Sequence, residues 1–523
     1  MQQTRTAAND CPESTASLRQ QLHEQVDRMA DWCANHPGRF FAFELELKER
    51  VGALGRLFVA LFLLARHQRL QSRDQDYPGY RLLDCLPRTL RTLFGAVRYQ
   101  RAYWVKRRGG GGFHPLDAEL GLTRDGFAPG VMALACRLTA YLSFAKTTLV
   151  LKAFWGWSPS TETVEQWALG VARQGSAYMA SSPPFPEADG EVLVIEVDGK
   201  AVPTATAAEL AKRRGPRRPK PDCACGCQRH RGQAQRRGAG HIRKKRRKKG
   251  DKSKNGKSAT LAAIYTLKRG PDGKLHGPIN KRVWGSFASR KKMLAWVRAE
   301  ATRRGFGPQT TRLIQLVVDG EKCLAQRLRR LFRKAILTLD IRHVEERLWK
   351  AGCAFHPEGS PALAAWVDQL RSLLYARSGK ALLTRLRQLR QQIACRGPGT
   401  KRKRAVLDDL LKYLEPRRNM MRYAKWLKQD LVIGTGVIEG AVRYVIGERM
   451  DCSGMRWRRD KAEAILHLRC IEVNGLWDHF FAWCQDRWCE QLDNKEAVQI
   501  RTDQPLELSG HWRKATPQQL QRP

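Results

Sequence analysis

The chain has 523 residues, of which 42% are hydrophobic, and its 95 Lys and Arg against 50 Asp and Glu give a formal net charge of +45. This much apolar material excludes global disorder. The longest uninterrupted apolar run, the nine residues Leu57–Ala65, is too short for a membrane span, which needs about 20. The first residues lack the apolar segment of a secretion signal, so we expect a cytoplasmic protein.

The positive charge is spread over the whole sequence. Residues 211–258 contain 20 Lys and Arg but only two acidic residues, and the other 475 residues still carry 75 basic against 48 acidic side chains. A basic tail on a neutral protein does not fit this pattern. We therefore expect a polyanionic partner, double-stranded DNA, and a nucleoid-associated location.

Residues 1–115 have the pattern of an N-terminal module of helices and a hairpin. Apolar residues recur every three or four positions over two predicted helices, the second covering residues 43–71. Residues 97–104 alternate as in a strand and are predicted to pair with residues 89–94 through a turn at Gly95. This ribbon is basic and aromatic, so it either lies on DNA phosphates or forms an ordinary half-buried hairpin.

Residues 116–185 are predicted to be helical, with an outline that suggests a DNA-binding helix-turn-helix. One helix ends at Gly156, and the next is predicted to begin with Ser158 as its N-cap and Pro159 as its first helical residue. Two helices joined by a short turn are typical of helix-turn-helix proteins. An ordinary helical hairpin has the same outline and is more common.

From residue 186 to 344 the pattern becomes that of a mixed α/β layer domain, in which a basic insert, residues 205–258, follows the first strand. The predicted strands are residues 191–197, 259–267, 281–284, 312–318 and 335–339. After them we predict a helical insertion over residues 345–430, C-terminal helices of the same core over 431–490 and a flexible tail over 491–523.

Two of the predicted buried strands end in Asp-Gly, at Asp198 and Asp319. Ligands and metals in α/β folds bind at the carboxyl ends of strands. Two carboxylates brought together repel each other unless a cation lies between them, and Mg²⁺ or Mn²⁺ suits oxygen ligands. Each Asp alone is better interpreted as a cap of the following turn, but both together in so basic a chain favour a metal site. Glu196, on the same strand face as Asp198, is a supporting group or, as we favour, a carboxylate exposed at the sheet edge.

A third acidic ligand is expected where the chain returns to helix. Glu439 follows the turn formed by residues 434–436, and Arg443 lies one helical turn beyond it. Glu448 and Asp451 are the competing candidates, and spacing alone does not decide between them.

Several motifs stand out along the chain. They are Pro115–Leu122, Lys249–Lys254, Ile433–Ala441, Glu448–Met450, Gly454–Trp457 and Glu463–Arg469. Together they resemble the signature of ISKra-type insertion-sequence transposases, and the resemblance covers about residues 85–490. It implies an α/β fold with an RNase H-like DDE catalytic core, in addition to the mainly α-helical N-terminal DNA-binding region. In that core the catalytic triad falls on Asp198, Asp319 and Glu439, which hold two Mg²⁺ (or Mn²⁺) ions.

The segment from Asp340 to His343 resembles the Asp-x-x-His element of Mutator-like DDE transposases. The resemblance implies that His343 is catalytic, either orienting the scissile phosphate or donating a proton near neutral pH. A structural histidine after a strand is the alternative.

One departure from the family concerns zinc. Many relatives carry a Cys-x-x-Cys pair after the N-terminal hairpin, whereas residues 106–112 contain no cysteine here. Cysteines cluster instead at Cys223, Cys225 and Cys227, and with His230 they could bind Zn²⁺ tetrahedrally. Because this spacing is tight for one ion, we favour incidental thiols in an Arg-rich loop.

Basic side chains near the predicted site are candidates for DNA contacts, because a run this dense is suited to phosphates and not to packing. The candidates are Arg243, Lys244, Lys245, Arg246, Arg247, Lys248 and Lys249 in the basic insert, and Arg443, Arg456, Trp457 and Arg458 near the C-terminal motifs. Trp457 could stack on an unpaired base, although a buried tryptophan among solvated arginines is equally consistent with the sequence.

The sequence therefore predicts a DDE transposase that acts on DNA as a homo-oligomer. It is expected to cleave the ends of an insertion sequence and to transfer the 3′-hydroxyl ends to target DNA. Two other classes remain open: a non-catalytic or recruited nucleic-acid-binding protein, and an RNase H-like nuclease that cuts without strand transfer.

Overall fold

The computed structural model of the protein describes residues 14–72, 77, 79–181, 183–206, 256–452 and 455–493. Within these ranges the chain forms two compact units, residues 14–183 with 471–493 and residues 184–470. No helix in the described ranges is both long enough and apolar enough to cross a lipid bilayer. The segment predicted as C-terminal core helices is divided between the units, because it joins the N-terminal unit from Ile471 onward.

The smaller unit consists of helices and one antiparallel sheet. Its helices are Thr15–Ala34, Phe40–Ser72, Pro115–Glu119, Pro129–Thr139, Phe144–Trp155, Thr161–Ala180 and Trp477–Asp493. Its strands are β1 (Tyr80–Thr92), β2 (Gly95–Lys106) and β3 (Gly112–Phe113), paired in that order. The predicted hairpin is confirmed, but it is longer than expected and turns at Leu93 and Phe94, just before Gly95.

The hairpin is half-buried, as one of the two interpretations of its sequence held. Val97 and Tyr99 pack with Leu63 of the helix Phe40–Ser72. The hydroxyl of Tyr99 donates a hydrogen bond to the Asp117 carboxylate at 2.9 Å, and the same carboxylate accepts from the guanidinium of Arg88 at 2.7 Å. Some of the basic and aromatic side chains that suggested a DNA-binding ribbon are therefore internal.

The two helices that suggested a helix-turn-helix are present, but the second starts later than predicted. The first ends at Gly156, whose φ of 75° is a left-handed conformation that glycine adopts easily. The N-cap of the next helix is Ser160, and its hydroxyl oxygen accepts a backbone N–H three residues on at 3.0 Å. The prediction of Ser158 as the cap was wrong, and Pro159 precedes the helix.

A five-stranded mixed sheet lies at the centre of the larger unit. Its strands are β4 (Val192–Pro203), β5 (Gly256–Arg269), β6 (Leu275–Ser286), β7 (Leu313–Val318) and β8 (Ile336–Leu339), in the spatial order β6-β5-β4-β7-β8. Strands β4, β5 and β6 pair antiparallel, whereas β7 runs parallel to β4 and β8 runs parallel to β7. All five predicted strands are present. The prediction that the first one ends at Asp198 is wrong, because β4 continues beside β5 to Pro203.

Helices of the larger unit pack against this sheet. They are Arg290–Arg303, Lys322–Leu331, Ile341–Gly352, Pro361–Ala376, Gly379–Gln392, Thr400–Leu414, Tyr423–Leu427, Gly436–Ala441, Glu448–Met450 and Arg459–Val473, with a 3₁₀-helix at Glu415–Met420 and a π-helix at Val442–Gly447. The predicted helical insertion is confirmed as helical. Its buried Leu370 and Leu410 share one core with Val194, Val317 and Leu339 of the sheet, so the insertion and the sheet fold as one body.

We expect the replacement Leu316→Ala to destabilise the larger unit. Leu316 is fully buried at the centre of β7, so the truncation leaves a cavity and should cost about 2–5 kcal/mol in the free energy of unfolding, measured by urea denaturation. Leu427→Ala is the matched control, because that side chain is 41% exposed and should cost less than about 1 kcal/mol. Equal losses in the two variants would contradict the central position of β7.

Candidate active site

Three aspartates stand level with one another at one edge of the mixed sheet. The parallel register between β4 and β7 pairs residues 121 positions apart, which is also the separation of Asp198 and Asp319. The register between β7 and β8 pairs residues 21 positions apart, which is the separation of Asp319 and Asp340. Because the carboxyl ends of parallel strands meet at the same edge, the fold brings these three residues to one place.

Asp198 is partly buried among other ionisable groups. Its Oδ1 accepts a hydrogen bond from the backbone N–H of Gly199 at 2.6 Å. Burial raises the pKa of Asp198, and the negative charges of Asp319 and Glu439 raise it further, while the bond from Gly199 and the charge of His343 lower it. The fold thus brings all four residues predicted as catalytic within electrostatic reach of one another.

Asp319 lies in a tight turn between β7 and the next helix. Its Oδ1 accepts the backbone N–H of Glu321 at 2.8 Å, which closes the turn. The glycine between them, Gly320, has a φ of 89°, a conformation that side-chain-bearing residues rarely adopt. A Cβ at Gly320 would also collide with the hydroxyl of Tyr413, so this turn requires glycine for two reasons.

The helical insertion holds the Asp319 turn from outside. The hydroxyl of Tyr413 donates to the carbonyl oxygen of Asp319 at 3.1 Å, and the Nε of Arg417 donates to the carbonyl oxygen of Gly320 at 3.1 Å. The ring of Tyr413 lies between the guanidinium groups of Arg347 and Arg417, 3.5 and 4.1 Å from its centroid. These cation–π contacts fix the tyrosine, and through it the backbone that carries Asp319.

Glu439 reaches the site from the short helix Gly436–Ala441. The hydroxyl of Thr435 donates to its Oε1 at 2.9 Å, which restricts the carboxylate to one orientation. One ligand atom of Glu439, one of Asp340 and one of His343 lie within 4.8 Å of one another, so these three side chains also form a compact polar cluster. The carboxylate of Glu439 therefore lies close to the Asp340–His343 pair, and its charge also acts on Asp198.

Glu196 is a member of the site that the sequence analysis misplaced. It was expected at the exposed sheet edge, but it is fully buried. Its carboxylate accepts the hydroxyl of Tyr265 at 2.7 Å and the backbone N–H of Ile438 at 2.8 Å. Burial raises its pKa to about 7, and the charges of Asp340 and Glu439 add to the rise. Because Ile438 precedes Glu439, Glu196 ties the helix that carries Glu439 to the strand that carries Asp198.

Asp340, which is buried, and His343, which is partly exposed, form a pair at the start of the helix Ile341–Gly352. The Nδ1 of His343 lies 2.6 Å from Oδ2 of Asp340, while Oδ1 accepts the backbone N–H of Thr435 at 3.2 Å. Burial by itself would raise the pKa of Asp340, but the bonds from His343 and Thr435 outweigh it and hold the pKa below its usual value. The same bond to Asp340 raises the pKa of His343. The sequence marked Asp340 only as part of a motif, although it ends a strand as Asp319 does.

The competing candidates for the third carboxylate lie elsewhere. The side chain of Glu448 is 57% exposed and pairs with Arg469 at 3.3 Å. Asp451 pairs with Lys200 at 3.7 Å. Each is thus neutralised by a basic partner, whereas the charge of Glu439 acts on Asp198.

Of the residues predicted to contact DNA, three described arginines are exposed and the tryptophan is not. Arg443 is exposed on the π-helix, a geometry frequent at functional sites. Arg456 and Arg458 are also exposed, the latter paired with a neighbouring aspartate at 2.8 Å. Trp457 is 8% exposed, and its Nε1 donates to the carbonyl oxygen of Met450 at 3.1 Å. In this conformation Trp457 is a buried residue and has no face on which a base could stack.

Two predicted groups lie outside the described residues. They are the possible zinc ligands Cys223, Cys225, Cys227 and His230, and the basic run from Arg243 to Lys249. The basic insert that contains both is described only at its ends, at residues 205–206 and 256–258.

No protein-family model matches the chain, and no curated protein matches it. What the site can do is therefore inferred from its own groups. Asp319 and Glu439 lie within electrostatic reach of Asp198, but among the described residues the three side chains whose ligand atoms lie within 4.8 Å of one another are Asp340, His343 and Glu439. Carboxylate oxygens are the ligands that divalent Mg²⁺ or Mn²⁺ prefers. An imidazole held at Nδ1 by a carboxylate has its other nitrogen free to exchange a proton near neutral pH.

We expect Asp340→Asn to lower the pKa of His343. The present pair raises that pKa above 6.5, and the amide removes the negative charge while it can still cap the helix. In the folded wild type, protonated His343 stabilises the protein below pH 6.5, and this contribution is lost as the pH rises through the raised pKa. NMR titration of the imidazole in EDTA measures the change.

The control for this titration is Asp272→Asn, which removes an aspartate 2.8 Å from a different histidine, His276. This control variant should have the same pKa of His343 as the wild type. An unchanged His343 titration in Asp340→Asn would show that the hydrogen bond between Asp340 and His343 does not exist in solution.

Proposed function

We propose that the protein is a DNA transposase of the DDE type that cleaves the ends of an insertion sequence and joins them to target DNA. The observation that carries the proposal is that Asp319 and Glu439, from separate elements, both act electrostatically on Asp198, while Glu439 also lies within 4.8 Å of the Asp340–His343 pair. In a chain with a net charge of +45, a cluster of carboxylates that has no Arg or Lys partner among the described residues calls for a functional explanation.

We further propose that the mixed sheet is the RNase H-like core that the resemblance to ISKra-type transposases implies. In that core, the three antiparallel strands β4, β5 and β6 support Asp198, and the two parallel strands β7 and β8 support Asp319 and the Asp340–His343 pair. The helical region of residues 341–427 lies within this core and steadies the Asp319 turn through Tyr413 and Arg417.

The donor set suits a pair of Mg²⁺ or Mn²⁺ ions held by Asp198, Asp319 and Glu439. All the donors are hard carboxylate oxygens. Burial is the main cause of the raised pKa of Asp198, and the repulsion from Asp319 and Glu439, which adds to the rise, is what divalent cations would relieve. When bound, such ions supply the Lewis acidity that activates an attacking hydroxyl and stabilises the leaving oxygen of a phosphodiester.

The roles of the protein's own groups follow from their contacts. Thr435 orients the Glu439 carboxylate, and Glu196 holds the backbone beside it. Asp340 fixes the imidazole of His343 through Nδ1, so that Nε2 can take a proton from, or give one to, a group at the scissile phosphate. Exposed Arg443, Arg456 and Arg458 then contact the phosphates of the bound duplex.

The experiment combines cleavage and joining. The protein, with Mg²⁺, is given a duplex carrying the DNA that borders its own coding sequence, together with a supercoiled target plasmid. Cleaved ends joined to the plasmid are the result expected of a transposase. Cleavage without joined products would instead identify a nuclease, and duplex binding without cleavage would identify a non-catalytic DNA-binding protein.

The replacement Glu439→Gln should reduce the cleavage rate by about 100-fold or more, because it removes a charge from the site while keeping the size of the side chain. Glu448→Gln is the matched control, since Glu448 lies nine positions away, is exposed and pairs with Arg469. It should cleave at close to the wild-type rate. Loss of cleavage in Glu448→Gln with full activity in Glu439→Gln would reverse the assignment of the third carboxylate.

A further inference from the structure

A basic cleft lies at the opposite end of the mixed sheet from the carboxylates. It has a volume of about 980 Å³ and is lined by the first residues of β4, β7 and β8, which are Val192, Leu313 and Ile336. Asp198, Asp319 and Asp340 lie toward or beyond the other ends of the same strands. We propose that this cleft is a second DNA site, which binds the phosphate backbone of a duplex away from the catalytic carboxylates.

The lining of the cleft is rich in cations that come from separate elements. They are Arg269 at the end of β5, Arg329 and Arg333 from the helix Lys322–Leu331 and the turn after it, and Arg422, Lys425 and Lys428 around the helix Tyr423–Leu427. All six are exposed. Apart from Arg269, none of them has an ion-pair partner within the part of the chain that the structure describes.

Of the two acidic residues of the lining, only Glu191 forms an ion pair with one of these cations. Glu191 pairs with Arg269 at 3.4 Å, and Asp430 uses its Oδ2 to accept the backbone N–H of Leu275 at 3.4 Å. Elsewhere on the same helical region, exposed arginines do have acidic partners: Arg387 pairs with Glu415 at 2.8 Å. Five cations that have no ion-pair partner among the described residues therefore stand against one negative charge, that of Asp430, and this excess of four positive charges is the electrostatic pattern of a polyanion site.

The lining favours a duplex over a single strand. Proteins that bind single strands stack exposed aromatic rings on the bases. The one aromatic side chain in the lining, Trp426, is 4% exposed and offers no face to a base. Long, flexible cations without an aromatic platform instead match phosphates, which carry charge but no sequence information.

The position of the cleft makes it separate from the candidate active site. The six residues of β7 span about 20 Å, so the cleft cannot contact a phosphodiester held at the carboxylates. It binds either a distal part of the cleaved duplex or a second DNA segment. Binding there requires no metal and no catalysis, so the cleft can be tested independently of the proposed function.

The test uses the full-length protein in EDTA and a duplex of about 30 base pairs of arbitrary sequence, roughly three helical turns. The cleft variant replaces Arg329, Arg333, Arg422, Lys425 and Lys428 with Gln. The control variant makes the same change in net charge at five exposed cations that do not line the cleft: Lys291, Arg298, Lys350, Lys401 and Arg402. Affinity is measured over a range of salt concentrations, and circular dichroism with thermal unfolding checks that both variants fold.

Each lost phosphate contact should reduce the slope of log affinity against log salt concentration by about 0.9, so the cleft variant, which loses five cations, should lose up to about 4.5. The control variant should lose less than half as much, and Glu439→Gln should keep the wild-type slope. Equal losses in the cleft and control variants would overturn the proposal, because only net charge would then matter. It would also be overturned if polyglutamate bound the wild type more tightly than the duplex and lost that binding in the cleft variant.

Discussion

The parallel alignment of β4, β7 and β8 is the constraint on which the candidate site depends. It brings Asp198, Asp319 and Asp340 level with one another, although 142 residues separate the first from the last. Carboxylates gathered in this way repel one another and resist burial. The backbone offsets part of that cost, because each of the three accepts at least one main-chain N–H. The ends of these strands thus carry the negatively charged aspartates and also the backbone N–H groups that stabilise them.

Two further contacts convert this alignment into a fixed geometry. Glu196 joins β4 to the backbone beside Glu439, over a sequence separation of 242 residues, and so sets where the third carboxylate lies. Tyr413 and Arg417 bond the carbonyl oxygens of Asp319 and Gly320, so the helical region is part of the site's support. A helical insertion that shares the sheet's core and bonds the turn at Asp319 cannot be removed without disturbing both.

The sequence predicted those features that depend on local pattern. Four of the five strands of the mixed sheet were found because they are largely apolar runs, whereas residues 281–284 are half basic. Asp198 and Asp319 were found because each ends such a run and is followed by glycine. The cap at Ser160 was missed because Ser158 carries the same local signal, and only packing of the helix chooses between them. The end of β4 was misjudged because its pairing with β7 stops at Glu196, whereas its pairing with β5 continues to Pro203.

Long-range contacts account for the other errors. The alternation along β4 correctly placed Glu196 on the face of Asp198, yet its burial depends on a helix more than 230 residues away. Trp457 is buried through Pro203 and Met450, whose carbonyl oxygens accept its backbone and side-chain N–H groups. The residues next to Glu196 and Trp457 in the sequence do not indicate which distant residues bury them. Local sequence patterns therefore could not predict either burial.

The carboxylates of the candidate site and the cations of the basic cleft lie at opposite ends of the same strands, and this separation makes the two proposals compatible. The charges with the largest effect on the pKa of Asp198 are those of Asp319, His343 and Glu439, and no arginine or lysine is among them. Cations of the basic cleft lie about 20 Å away along the strands, beyond the Debye length of about 8 Å at physiological salt. Exposed charges at that distance are largely screened, so the cleft can attract DNA without neutralising the carboxylates. A protein that must bind a polyanion and also keep a negative cluster available for divalent cations needs this separation.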